Sequence, residues 1–196
     1  MSRIALFGSS ADPPTAAHQA IIRWLGEHYD RVAVWAADNP MKSQQTPLSH
    51  RMRMLRLLIC DLDTQVDKIK LHEDLSYPRS LDTIYKAQEI WGKETEFTLV
   101  VGSDLITQMP KWYKIAELLE QVKVLVVPRQ GYAIADEDLK QVRNLGGDCE
   151  IAAFQVPAVS STAYREQKDT KIVTQPVENY IQQEHLYLCQ NRAATR

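Results

Sequence analysis

The sequence predicts an α/β protein, a doubly wound parallel sheet forming a single domain over residues 1–196. Three observations carry this. Short apolar runs rich in Val, Ile and Leu recur along the chain, and they alternate with longer stretches of helical periodicity. No repeat, low-complexity stretch or long linker interrupts the alternation. Strands that are apolar throughout are buried on both faces, the situation of a parallel sheet covered by helices.

Ile4–Phe7 is the first apolar run, ended by Gly8, and reads as a buried strand. After Pro13 and Pro14, Thr15 is placed to cap a helix whose apolar positions include Ala20, Ile21, Trp24 and Leu25. Val32–Ala36 is the next strand. A polar loop with Pro40, Lys42 and Pro47 leads to a helix from about Ser49 to Leu62, with Met52, Leu55, Leu58 and Ile59 facing inward. Val66–Leu71 reads as a strand, Ser80–Trp91 as a helix, and Phe97–Val101 as a strand ended by Gly102. Ile115–Glu120 reads as helical, Val122–Val127 as a β-branched strand, Asp136–Asn144 as a helix and Glu150–Val156 as the last strand. Helices near Ser161 and Val177 close the chain. In such an open, Rossmann-like sheet, ligands bind beyond the carboxyl ends of the strands at the switch point between halves. The loops after the first, fourth and last strands are where a site is expected.

Composition narrows the function classes. A chain that is 44% hydrophobic and 24% charged over 196 residues can bury a full core. A net charge of −2 leaves no electrostatic footprint for wrapping nucleic acid. Arg51, Arg53 and Arg56 read as a solvated or loop-orienting helix face rather than a nucleic-acid patch. Cys60, Cys149 and Cys189 are odd in number and far apart, with no CxxC or His–Cys zinc spacing, so neither a disulfide framework nor a metal staple is expected. The start has no basic region followed by an apolar one, and no apolar run reaches the length of a bilayer. The expectation is a cytoplasmic protein with no membrane partner; a homo-oligomer is expected only as a general tendency of soluble enzymes.

Two segments carry chemistry. Gly8-Ser9-Ser10-Ala11-Asp12-Pro13-Pro14-Thr15-Ala16-Ala17-His18 leaves the first strand through a glycine that permits a sharp turn. Ser9 and Ser10 offer hydroxyl and N–H donors beside a helix N-terminus, where a phosphate is favoured. Thr15 and His18 are three apart and share a helix face. The same residues also fit a plain turn, an ordinary cap and a structural histidine. The segment is neither GxGxxG nor GxxxxGK[ST], which removes the main support for a dehydrogenase or a P-loop enzyme. The second segment, Val159-Ser160-Ser161-Thr162-Ala163-Tyr164-Arg165, follows the last predicted strand. Ser160 or Ser161 is a good N-cap, and Arg165 lies four after Ser161 and three after Thr162, within reach of the same anion. A merely well-capped helix with an exposed arginine is the other reading.

Together these segments resemble the signatures of the nucleotidylyltransferase superfamily. The first is similar to G-G-S-F-D-P-x-[HT]-x-G-H through Gly8, Ser10, Asp12, Pro13, Thr15 and His18, and departs at Ser9, Ala11 and Ala17. The second is similar to I-S-S-T-x-[IL]-R through Ser160, Ser161, Thr162 and Arg165, with Tyr164 in place of an aliphatic residue. The resemblance implies that both segments bind ATP phosphates, with His18, Thr15 and Arg165 stabilising charge as pyrophosphate leaves.

The middle of the chain resembles bacterial nicotinate-nucleotide adenylyltransferases. Asn39-Pro40-Met41-Lys42, His50-Arg51-Met52-Arg53-Met54-Leu55, Gly102-Ser103-Asp104-Leu105, Lys111-Trp112-Tyr113, Leu118-Leu119 and Val126-Val127-Pro128-Arg129 carry it, with Ser80-Leu81-Asp82-Thr83-Ile84 a fainter match. This implies a pyridine mononucleotide as acceptor, held by Lys42, Ser80, Thr83, Gly102, Asp104 and Trp112. Trp112 would be the platform for the ring and Asp104 the carboxylate for ribose hydroxyls. Arg79 stands where the family has tyrosine, and either pairs with a carboxylate or points to solvent. The expected reaction is in-line attack by the acceptor phosphate on ATP, with Mg²⁺ carried on the triphosphate and no metal site of the protein's own.

Overall fold

The computed structural model describes residues 2–38, 45–62 and 67–188. The strands are β1 (Arg3–Ser9), β2 (Arg31–Ala36), β3 (Ile69–Leu71), β4 (Glu96–Gly102), β5 (Lys123–Val127) and β6 (Asp148–Ile151). The helices are α1 (Ala16–His28), α2 (Leu48–Cys60), α3 (Ser80–Trp91), α4 (Ser103–Ile106), α5 (Ile115–Leu119), α6 (Asp136–Asn144), α7 (Ser161–Gln167) and α8 (Gln175–Gln183). Short 3-10 turns occur at Glu73–Leu75, Met109–Lys111 and Thr170–Ile172.

The strands form one six-stranded sheet in the order β3-β2-β1-β4-β5-β6. Each pairing is parallel. From β1 the chain steps outward through β2 to β3, then returns through α3 to β4 and steps outward on the other side. Parallel strands joined in this order take right-handed crossovers, which cover both faces of the sheet with helices. α1, α2 and α8 pack together in one layer, and α3 packs with α5. The doubly wound single domain read from the sequence is the fold observed.

The apolar runs fill the core. Ile4, Ala5, Leu6, Val32, Ala33, Val34, Val124 and Val126 are each 1% exposed or less. Fully burying one such Leu, Ile or Val side chain stabilises by about 1.5–3 kcal/mol. Among the described residues, no helix is long and apolar enough to cross a membrane.

The last strand departs from the sequence reading. β6 is Asp148–Ile151, not Glu150–Val156. Gly146, at φ 91, ends the turn after α6, and the ladder with β5 starts at once with Lys123 opposite Asp148. β6 is an edge strand in which only Cys149 is buried, so the most apolar run marks where the chain leaves the sheet. Phe154 instead stacks on Trp24 of α1, centroids 4.9 Å apart. α4 and the 3-10 turns were not anticipated. Val66 and Lys42 lie outside the described residues.

Candidate active site

The sheet order reverses between β1 and β4, so the loops leaving their carboxyl ends diverge and open a crevice. Gly8, near the end of β1, pairs with Trp35 on β2. A Cβ on Gly8 would stand 2.4 Å from the Trp35 indole. The glycine is required by this close approach, which fixes where the following loop begins. Ala11 then takes a left-handed conformation at φ 46, and Thr15 returns to extended backbone as the N-cap of α1.

Helix capping positions His18. α1 opens with a capping-box arrangement in which His18 occupies the third helical position, where Glu or Gln usually reaches back. The Thr15 N–H donates to His18 Nδ1 at 3.1 Å, which assigns the ring proton to Nε2. The Thr15 hydroxyl lies 3.0 Å from the same Nδ1. His18 Nε2–H then donates to the Ser9 hydroxyl at 2.9 Å. Burial and, after it, the nearby Arg129 cation lower the His18 pKa from 6.5 to about 4. The imidazole is therefore a neutral, oriented N–H donor near pH 7.

The second segment docks on the first. The Ser160 hydroxyl caps α7 by accepting from the Ala163 N–H at 3.1 Å. The Ser161 hydroxyl donates to the Pro13 carbonyl at 2.7 Å. Arg165 donates from Nη1 to the Asp12 carbonyl and from Nη2 to the Thr162 hydroxyl at 3.3 Å. Thr162 and Arg165 are exposed and Ser160 and Ser161 partly so. Together with Ser9, Ser10 and His18, these hydroxyl, guanidinium and imidazole donors line one end of the sheet.

Across the crevice, Asp104 Oδ2 accepts from Arg129 Nη1 at 2.8 Å. Asp104 Oδ1 is buried with no hydrogen-bond partner. A Cβ on Gly102 would lie 2.4 Å from that oxygen. Gly102 thus makes room for the carboxylate to lie against the end of β4. Ser103 holds the base of the pair, its hydroxyl accepting from the Arg129 N–H at 2.9 Å and donating to the Tyr132 carbonyl at 2.9 Å.

The remaining predicted acceptor residues separate. Trp112, partly buried against the core, ends the turn after Met109–Lys111. Its neighbour Tyr113 is 48% exposed and carries the Arg79 guanidinium 4.1 Å from its ring centroid. Arg79 is itself exposed and rests on that aromatic face. Ser80 begins α3 and is partly exposed. Thr83 is 2% exposed, and its hydroxyl donates to the Leu75 carbonyl at 3.0 Å, which ties α3 to the turn before it. Asp12 is 6% exposed and sits beneath the loop.

Arg51 is only 2% exposed, so the solvated reading does not apply to it, whereas Arg53 and Arg56 are exposed. It donates to the carbonyls of Thr46 at 2.8 Å, Ser10 at 3.0 Å and Ala37 at 2.8 Å. One guanidinium thereby ties the loop after β1 to the end of β2 and to the residues that lead into α2. The signal was present: Arg51 is four before Leu55 and seven before Leu58, on the inward stripe of α2. Arg129 lies in the Val126–Arg129 match, and its pairing with Asp104, 25 residues away, has no local sequence signal.

Among the described residues, no group of three or more His, Cys, Asp or Glu side chains is gathered to hold a metal ion. The polar groups named above at the crevice are mostly donors, a set suited to anions.

A cytidylyltransferase-like family model matches residues 6–167. The chain is 44% identical over 197 residues to the probable nicotinate-nucleotide adenylyltransferase of Synechocystis sp., covering 94% of this chain and 98% of that one. It is 30% identical to the corresponding protein of Aliarcobacter butzleri, covering 91% of this chain and 94% of that one. In fold it is similar to Plasmodium falciparum nicotinic acid mononucleotide adenylyltransferase complexed with NaAD, with a TM-score of 0.81 at 20% identity, covering 95% of this chain and 98% of that one.

Proposed function

The chain belongs to the cytidylyltransferase-like family and, within it, to the nicotinate-nucleotide adenylyltransferases, and on that basis we propose that it transfers the adenylyl group of ATP to nicotinate mononucleotide. The observation that carries the reading is the neutral His18 imidazole. Its Nε2–H is held by Thr15 toward the Ser9 hydroxyl, at the start of the loop on which Ser161 and Arg165 are seated.

The reaction asks little covalent chemistry of the protein. The acceptor's phosphate oxygen is already anionic near neutral pH, so no general base is needed. It attacks the α-phosphorus of ATP in line. A new P–O bond forms, the bond from the α-phosphorus to the bridging oxygen breaks, and pyrophosphate leaves with the electron pair. His18 exchanges its Ser9 partner for an oxygen on which charge grows. Thr162 and Arg165 take the departing phosphates. Ser9, Ser10 and Gly8 form the wall that the triphosphate approaches, with Asp12 as the anchor beneath it. Mg²⁺ brought with the nucleotide would supply neutralisation of phosphate charge. The donor set described above fits phosphate and leaves the ion to its nucleotide.

On the acceptor side, the unpartnered Asp104 Oδ1 suits a ribose hydroxyl, and Trp112 offers a face for the pyridine ring. The acid is favoured over the amide by Arg79, a cation parked on the ring of Tyr113, the residue after Trp112. A carboxylate offers it a stronger partner than an aromatic face does. Two water-borne nucleotide substrates support a cytoplasmic reaction. A panel of acceptors with ATP, read by pyrophosphate release, tests the proposal. Release with nicotinate mononucleotide well above nicotinamide mononucleotide and pantetheine phosphate is expected. Binding of ATP with no release for any acceptor would make the chain a nucleotide-binding module instead.

A further inference from the structure

The end of the described chain reaches the phosphate loop through one side chain. After α8 the backbone doubles back through His185 and Tyr187, which adopt left-handed conformations at φ 52 and φ 57. Two contacts from α7 and its cap hold Tyr187 in place. Its ring stands edge-on to Tyr164, centroids 5.8 Å apart, and its carbonyl accepts from the Lys168 ammonium. The Tyr187 hydroxyl then donates to Asp12 Oδ1 at 2.6 Å. Asp12 Oδ2 accepts from the Thr46 N–H at 3.3 Å. Its carbonyl accepts from Arg165.

Asp12 is thus gripped at three oxygens. A carboxylate this buried is tolerated only where its oxygens are satisfied by hydrogen bonds. The Tyr187 bond is short enough to be charge-assisted. Burial and the Asp12 carboxylate push the Tyr187 phenol well above its ordinary pKa, so it stays a donor throughout the working range. No motif includes Tyr187, and the family model ends at residue 167.

We propose that Tyr187 is a positioning residue for the triphosphate half of the site. Through Asp12 it fixes the loop from Ser10 to Pro14, and that loop carries the Pro13 and Asp12 carbonyls on which Ser161 and Arg165 are seated. The acceptor half, around Asp104 and Trp112, lies on the far side of the switch point, and among the described residues no hydrogen bond or ion pair joins Asp104 or Trp112 to Tyr187 or Asp12. The inference rests on the adenylyl-transfer reading for its kinetic form, but its binding form stands without it.

Tyr187→Phe keeps the ring packing and removes only the hydroxyl. The expected result is a rise of about tenfold in the KM for ATP, the size expected for losing a hydrogen bond to a charged group. The KM for the mononucleotide should stay within about twofold of wild type, since its half of the site lacks this anchor. Asp12→Asn should show a similar rise. The double variant should be no worse than the more affected single one, because both act on the same hydrogen bond, one by removing its donor and the other by removing its charge. Titration calorimetry with ATP alone should show the same weakening. It separates the two claims: a wild-type chain that binds ATP but releases no pyrophosphate sinks the adenylyl-transfer reading and leaves this inference measurable. Unchanged ATP binding in a folded Tyr187→Phe protein, or equal rises for both substrates, would overturn it.

Discussion

The Ser161 hydroxyl donates to the carbonyl of Pro13 at 2.7 Å, across 148 residues of sequence. It joins the two segments that bind phosphate in the proposed reaction, and the Arg165 bond to Asp12 repeats the connection one helical turn later. The proposed phosphate site is therefore one cross-linked unit, assembled only when the chain after β6 returns to the loop after β1.

Ser161→Ala removes that strap without disturbing the Ser160 cap. It should lower kcat/KM for ATP by about tenfold and shift stability by about 1 kcal/mol or less, in line with one neutral hydrogen bond. Arg165→Lys retains the charge but loses the planar fork, and should cost more activity than Ser161→Ala. Steady-state kinetics with thermal melts check both.

His18→Ala should collapse turnover by about 10²–10³-fold while the protein still folds, the range seen when a preorganised charge-stabilising donor is removed. The pH dependence follows from the His18 pKa, lowered from 6.5 to about 4. Between those values the unfolded chain binds a proton at this site and the folded chain does not. The site's contribution to stability is thus fully present above 6.5 and is lost as pH falls toward 4. Turnover should show no histidine limb near pH 6.5. Melting curves from pH 7 to about 4 should lose part of their acid slope in His18→Ala, and kcat profiles check the other half.

Gly8→Ala places a methyl 2.4 Å from the Trp35 indole. Either the ring or β1 must shift, at a cost of about 1–3 kcal/mol. Trp35→Phe, which shortens that ring system, should recover part of the loss in the double variant. Denaturant unfolding of the three proteins measures it.

Arg79→Ala should leave turnover with nicotinate mononucleotide measurable but lower its preference over the amide by about tenfold, the share of one charge-assisted contact. Arg79→Lys should keep much of the preference, since it keeps a cation. The ratio of kcat/KM values for the two acceptors is the readout.

Much of this was legible in the sequence, for physical reasons. Strands buried on both faces write themselves as continuous apolar runs, so β1, β2, β4 and β5 were placed closely. Caps are local, so Thr15 and Ser160 announced α1 and α7. Edges and long-range pairs are not local. β6 was misplaced because an edge strand carries little apolar signal and Gly146 starts it early. Gly8 explained its turn, but the indole of Trp35 that requires it comes from the neighbouring strand. Arg129 and Tyr187 sit in stretches with no periodicity of their own, and their partners Asp104 and Asp12 lie 25 and 175 residues away. Thr83 matched a motif, yet its hydroxyl is spent on the Leu75 carbonyl.

The central claim is transfer of an adenylyl group directly from ATP to a pyridine mononucleotide. Incubating the protein with ATP labelled at the α-phosphorus and nicotinate mononucleotide, and separating the products, tests it most directly. The label should appear in the dinucleotide, one for each pyrophosphate released. Label in free AMP alone, or label bound covalently to the protein, would contradict the account.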